Sequence, residues 1–455
     1  MKQTLSSIFT ADVMQTAAGL VVVGGDGATL FSRRGNVPVA PASTLKLVIA
    51  ATAFDTLGAG HRFDTRFMAD AQPETGGDLR GNVWLVGGGD PTLVSQDLRN
   101  GVGVLSRSGV RRIDGSLEID DSAFSGPEQN PRWEPDDLTY DYAAGTSAMS
   151  LDEDVVEFDV TPDSGGGAAA IKPVPANASI SFSGRIRTVP NGYNSYVTVD
   201  RKLELPPLAS DPAKAPLPRN VYLLDGQIAQ GETQTYFKPV LGMPGYVGGV
   251  VAAMLEQRRI ALAGGYRAGA APLVAATLWA HRSPPLADIV REMLVNSNNH
   301  TAETLLRIVG EESGHPGSDA AGIAFEKHEL DHLGVPHDGM TLYDGSGLAP
   351  GDRVEPLTLA KLLALEARGP SGDVYVRSLP RVGLEGTVKH HVLHAALGRT
   401  RAKSGHIENV NGLAGVLQTK HHGRVTFAFI VNDPRANADV VYDEDDRALD
   451  ALADF

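Results

Sequence analysis

The sequence predicts an α/β protein: a domain split between the two ends of the chain and interrupted by a large β-rich insertion. Three observations lead there. A run of helix formers at 45–57 and apolar residues at helical spacing from about 285 onward give the helices. β-like runs at 19–32 and 413–431 lie beyond them toward both termini. Between, from about Met68 to residue 282, short β-like runs alternate with glycine and proline.

Residues 19–23 and 28–32 are β-like and joined by Gly24-Gly25-Asp26-Gly27, which is turn chemistry and predicts a hairpin. The glycines do not form a phosphate loop, because no Gly-Lys-Ser/Thr follows them. A helix follows over 45–57. β-like runs come next at 83–86, 116–119, 155–160, 179–182, 196–199 and 221–224, separated by Pro/Gly-rich loops such as 205–218. They predict one or two mostly-β domains, with 96–184 nested inside 68–95 and 185–282. The split domain would be 1–67 with 283–455. In its second part Leu286, Ile289, Val290, Met293 and Leu294 fall at helical spacing, as do Leu305, Leu306 and Val309. Helices are expected at 320–333 and 357–367, strands at 413–417 and 425–431, and a last helix at 446–453.

Composition removes several functions. The 455 residues carry a net charge of −15, which opposes nucleic-acid binding. There is no cysteine, so disulfides, thiolate metal sites and a cysteine nucleophile are excluded. No run approaches the ~18 apolar residues of a membrane helix. Lys2 is followed by polar residues rather than a secretory apolar stretch. Two readings stay open: a cytoplasmic chain, or a sequence given without its signal peptide.

Three short motifs can carry chemistry. Ser43-x-x-Lys46 opens the 45–57 helix, where residues three apart share a face. A serine hydroxyl needs a neighbouring base, and a lysine whose pKa is lowered can be that base. Alone, the pair reads sooner as an N-cap serine followed by a solvated lysine. Asn296-Ser297-Asn298-Asn299 alone reads as a loop or cap. Arg401-Ala402-Lys403-Ser404-Gly405 alone reads as an exposed turn before a β-like run.

Read in order, Ser43-x-x-Lys46, Ser297-x-Asn299 and Lys403-Ser404-Gly405 resemble the signature set of penicillin-binding proteins and serine β-lactamases. The long insertion between the first two motifs is similar to that of the class C low-molecular-mass penicillin-binding proteins, the D-Ala-D-Ala carboxypeptidase/endopeptidase family. Gly87-Gly88-Gly89-Asp90-Pro91-Thr92-Leu93, Asp136-Asp137-Leu138, Ser147-Ala148-Met149-Ser150-Leu151-Asp152-Glu153, Asp344-Gly345-Ser346-Gly347-Leu348 and Glu385-Gly386-Thr387 resemble that family too. The resemblance implies a transpeptidase-like, serine β-lactamase-like domain, its β-sheet sandwiched by helices. It implies a serine D-alanyl-D-alanine carboxypeptidase, with or without endopeptidase activity, acting on peptidoglycan stem peptides outside the cytoplasm and acylated by β-lactams. Ser43 would be the nucleophile, Lys46 its base and Ser297 a proton relay. Asn299, Lys403, Ser404 and Gly405 would bind substrate. The backbone N–H groups of Ser43 and His406 would form the oxyanion hole. No metal or cofactor is implied. Two departures stand out: His406 replaces a common threonine, and Ala349-Pro350 stands where relatives often carry Ser-Arg, with Arg353 close by.

A competing motif is His328-Glu329-Leu330-Asp331-His332, a His-Glu-x-x-His pattern that could bind zinc with Glu329 as base. Gly334-Val335-Pro336 ends that helix without a third-ligand motif, and the serine set accounts for far more of the chain. A scaffold without turnover, and a cytoplasmic acyl-transferase or cyclising relative using the same serine, are the remaining alternatives.

Overall fold

The hairpin at the start of the chain seeds the sheet around which the first of two units is built. The computed structural model describes residues 1–177, 179–204 and 217–455. Strands Ala18–Gly24 and Thr29–Arg33 pair antiparallel, with Gly27 at φ +87° in the turn. Strands Thr400–Ile407, Val410–Gln418 and Arg424–Asn432 complete a five-stranded antiparallel sheet. Ala18–Gly24 and Arg424–Asn432 pair at its interior and are buried on both faces. Hence both read as largely apolar runs without alternation.

In chain order the α-helices among the described residues are α1 (Lys2–Ile8), α2 (Asp12–Thr16), α3 (Lys46–Leu57), α4 (Ser95–Arg107), α5 (Met243–Gln257), α6 (Leu286–Asn296), α7 (Asn299–Glu311), α8 (Asp319–Leu333), α9 (Pro356–Glu366), α10 (Gly372–Ser378) and α11 (Ala438–Ala453). One unit comprises Met1–Arg62, Arg132–Glu134 and Pro284–Phe455; the other comprises Phe63–Pro131 and Pro135–Ser283. In the first, Leu20, Phe427 and Phe429 share a core with Leu449 and Leu452 of α11 and with Leu5 and Phe9 at the N-terminus. α9 packs against the same sheet, and Thr426 Oγ1 donates to the Ala360 carbonyl at 2.7 Å. The sheet therefore lies between helices.

The second unit is rich in short strands, with Phe67, Leu85, Ile119, Phe158 and Tyr222 in its core. It also holds α4 and α5, which the mostly-β reading of this stretch missed. Both carry internal glycines, which disfavour helix by ~1 kcal/mol each. Packing explains them. A Cβ at Gly101 would stand 2.9 Å from the Phe67 and Trp279 rings, and one at Gly248 2.4 Å from Tyr266. The glycine loop at 87–89 and the Ser147–Glu153 stretch meet: Gly89 N donates to Ala148 O at 3.0 Å, and a Cβ at Gly87 would stand 2.3 Å from that oxygen.

Three further expectations are revised. The Arg401–Gly405 stretch is not a turn before a strand but part of the edge strand itself, Lys403 pairing with Ala414. The last helix begins eight residues before its expected start, at Ala438, where the Asn437 side chain accepts from Asp439 N. α1 and α2 were not foreseen; Glu444 of α11 holds the link between them by accepting from Thr10 N and Ala11 N at 3.1 and 2.8 Å. Of the expected 205–218 loop, 205–216 lie outside the described residues.

α7 and α8 approach closely because two glycines face each other. A Cβ at Gly310 would be 2.8 Å from Gly322 N, and one at Gly322 would be 2.1 Å from Leu306 O. Gly322→Ala is expected to destabilise the protein by about 1–3 kcal/mol, read by urea unfolding. One turn along, Glu326 is fully buried and neither carboxyl oxygen has a hydrogen-bond partner among the described residues. Burial, with Glu303 and Asp344 nearby, raises its pKa well above the usual carboxylate range. The folded protein thus holds the neutral acid. That contribution is complete below the ordinary glutamate pKa of ~4.3 and is lost as pH climbs through the raised folded value. Glu326→Gln should melt close to the parent near about pH 5 and above it near about pH 9, checked by thermal melts.

Candidate active site

The motif-bearing turn is a 3₁₀ helix, Ala42–Leu45, that runs directly into α3. Thr44 Oγ1 donates back to Pro41 O at 2.6 Å and tightens it. Ala42 lies at φ +46°, a left-handed conformation that an L residue adopts at a cost of ~1–3 kcal/mol. Two glycines brace the turn. A Cβ at Gly347 would fall 2.0 Å from Ala42 O, and one at Gly405 would fall 2.8 Å from Pro41 O and 3.0 Å from Ser43 N. The Asp344–Leu348 loop and the edge strand therefore both press their backbones on the turn that presents Ser43.

Lys46 is fully buried. Its Nζ lies 2.9 Å from Ser43 Oγ, 2.7 Å from Asn299 Oδ1 and 2.9 Å from Ser346 O. An ammonium donates to all three. A neutral amine would donate to Asn299 and Ser346 and turn its lone pair to the Ser43 hydroxyl. Burial lowers the Lys46 pKa to about 8, against the opposing pull of Asp344 and Glu303. The arrangement can therefore deprotonate a serine hydroxyl near neutral pH.

Ser297 is the C-cap of α6, at φ +62° in the left-handed region, and Asn298 caps α7 by accepting from Thr301 N at 2.8 Å. The cap signal seen in the sequence is real, and the same corner starts α7 with Asn299 facing Lys46. Ser297 is partly exposed two residues before it.

On the edge strand Lys403 is fully buried. Its Nζ donates to Ser404 O at 2.6 Å. Burial, then the charge of Lys46, pushes its pKa well below the usual lysine value. The Ser404 hydroxyl meets that of Thr387 at 2.8 Å. The His406 side chain is exposed beside its cross-strand partner Asn411, with Nδ1 and Oδ1 3.0 Å apart.

Sequence reasoning gave no role to several residues that complete this surface. Asp344 accepts from Trp133 Nε1 at 2.8 Å and from the amides of Gly347 and Ala349 at 2.7 Å each. Glu303 accepts from Ser346 N at 2.8 Å. Its position four residues after Asn299 on one helix face was the available signal. Arg353 turns onto its own loop, donating to Pro350 O and Asp352 O at 2.9 and 2.6 Å. His328 and His332 are both exposed on α8, whose buried positions are Gly322, Glu326 and Leu330. Among the described residues no group of three or more His, Asp or Glu side chains is arranged to hold a metal ion.

Known proteins match this chain along its length. The solved structure of penicillin binding protein 4 (dacB) from Haemophilus influenzae superposes with a TM-score of 0.81 at 21% identity, covering 100% of this chain and 99% of that one. That likeness shows the fold, an α/β architecture with a β-rich insertion. The D-alanyl-D-alanine carboxypeptidase of an Actinomadura species is 30% identical over 450 residues, 95% of this chain and 81% of that protein. The D-alanyl-D-alanine carboxypeptidase DacB of Haemophilus influenzae is 24% identical over 408 residues, 88% of this chain and 81% of that protein. The profile of the D-Ala-D-Ala carboxypeptidase 3 (S13) family matches residues 1–454. With that match spanning the hairpin, the insertion and all three motifs, the chain belongs to the D-Ala-D-Ala carboxypeptidase 3 (S13) family.

Proposed function

We propose that this enzyme, a serine-type D-alanyl-D-alanine carboxypeptidase by its family, cleaves peptidoglycan stem peptides through an acyl-enzyme on Ser43. The observation that carries the reading is the buried Lys46 amine, 2.9 Å from the Ser43 hydroxyl. Ser43 attacks the carbonyl of the penultimate D-alanine. Lys46 takes the hydroxyl proton, and Ser297 passes a proton to the leaving amine. Asn299 holds Lys46 and the substrate amide. The backbone N–H groups of Ser43 and His406 receive the oxyanion, where one such donor is worth ~10²–10³-fold. Lys403 and Ser404 take the terminal carboxylate, and Gly405 lets the strand lie against the nucleophile turn. An incoming carboxylate would favour the charged form of Lys403 that burial alone disfavours. Water then attacks the ester, its hydroxyl joining the acyl carbon and its proton returning to Ser43, which releases the shortened peptide.

The same site would open D-Ala-containing cross-links as an endopeptidase and would be trapped by β-lactams. Peptidoglycan as substrate places the enzyme outside the cytoplasm. We read residues 1–67 and 283–455 as the catalytic domain, 68–95 and 185–282 as an inserted domain, and 96–184 as a second domain nested in it.

Intact-mass spectrometry after incubation with benzylpenicillin is expected to show one penicilloyl adduct on the parent and none on Ser43→Ala, which should also lose peptide turnover. An adduct retained on the variant would move the nucleophile elsewhere. An unreactive parent that still transfers acyl groups to amines would favour the acyl-transferase alternative. The free-base form of Lys46 is the active one, so kcat/KM should climb with pH and level off above about 8. Lys46→Arg, which cannot give up its proton, should lower it by ~10²–10⁴-fold and abolish that rise. A pH profile of D-Ala-D-Ala peptide hydrolysis checks both.

A further inference from the structure

Glu303 lies one turn beyond Asn299 on α7 and is only 2% exposed. Its Oε1 accepts from Ser346 N at 2.8 Å, and both its carboxyl oxygens lie 3.2 Å from Gly345 N. The carbonyl of the same Ser346 is the third acceptor of Lys46 Nζ, at 2.9 Å. One residue thus joins the base to a buried carboxyl group on the far side.

The charged and titratable groups facing Glu303 are Lys46 from α3, Asp344 and Asp352 from the chain before α9, and Asp319 and Glu326 from α8. Arg307, four residues further along α7, pairs with Asp319 at 2.7 Å. The Glu326 carboxyl makes no hydrogen bond among the described residues, and burial holds it neutral. Negative charge near Lys46 therefore comes from Asp344, joined by Glu303 as that carboxyl ionises near pH 8.

We infer that Glu303 is a positioning residue for the catalytic base: it presses the Ser346 carbonyl onto Lys46 and, by its charge, sets how strongly that amine holds a proton. The inference rests on Lys46 being the base. In the step concerned, the O–H bond of Ser43 breaks, an N–H bond forms on Lys46, and the resulting buried cation is balanced by the carboxylate behind Ser346. Burial and Asp344 raise Glu303 to about 8, while burial lowers Lys46 to about 8. The two groups titrate over one range and act as a coupled pair.

Glu303→Gln keeps an acceptor for Ser346 N and removes the charge. Because that charge raises the proton affinity of Lys46, the acid limb of kcat/KM should move to lower pH by roughly half a unit or more, a differential interaction expressed as a pKa shift. Glu303→Asp keeps the charge on a shorter arm, so kcat should fall about tenfold with the limb near its parental position. Each variant is first shown to be folded by its thermal melt, and penicillin acylation rates by mass spectrometry give a second pH profile. A Glu303→Gln profile that superimposes on the parent would overturn the inference, leaving Glu303 a purely structural anchor. Should the limb persist in Lys46→Arg, the assignment of the base fails instead and takes this inference with it.

Discussion

The buried amine of Lys46 is the constraint on which the catalytic unit depends. An ammonium taken out of water costs several kcal/mol unless its donors are met. Here the three partners come from separated stretches of chain: Ser43 from the 3₁₀ turn, Asn299 from the first turn of α7, and Ser346 from the loop before α9. None of these elements can shift without leaving a buried donor unmet. The same burial that makes the amine demanding also lowers its pKa to about 8, which is what suits it to accept a proton near neutral pH.

Close backbone approach makes that convergence possible. Gly347 and Gly405 bring a loop and an edge strand against the nucleophile turn at distances no side chain would allow. Ala42, beside the first motif, and Ser297, the first residue of the second, hold left-handed conformations. Strain of this kind persists only where the surroundings over-determine it. The surroundings are the sheet, α9 and α11, whose packing depends on Phe427, Phe429, Leu449 and their neighbours rather than on any site residue. Behind the site, Asp344 and Glu303 fold the Asp344–Leu348 loop by accepting its amides, so the loop that braces Ala42 also carries the acceptor of Lys46.

Apolar periodicity made α6 and α7 legible, because each packs apolar residues against neighbouring helices, and a run of helix formers gave α3. It failed for α4 and α5, where glycine is retained for contact with Phe67, Trp279 and Tyr266 and local propensity is overridden. It failed again at Arg401–Gly405. That strand owes its conformation to pairing with Val410–Gln418, and Lys403 gives no apolar signal although it is fully buried. Glu303 and Glu326 read as ordinary helix-surface acids, since burial of a charge-bearing residue leaves no mark on periodicity.

By itself the sequence determined the α/β class, the hairpin, the order and spacing of the three motifs, and the family those motifs resemble. All of these rest on residue type and on contacts close in the chain. Tertiary structure decided which motif atoms meet, which carboxyls stay protonated, and how far the Lys46 and Lys403 pKa values fall. Those outcomes depend on desolvation and on charges brought together from hundreds of residues apart, and neither quantity exists until the chain has folded.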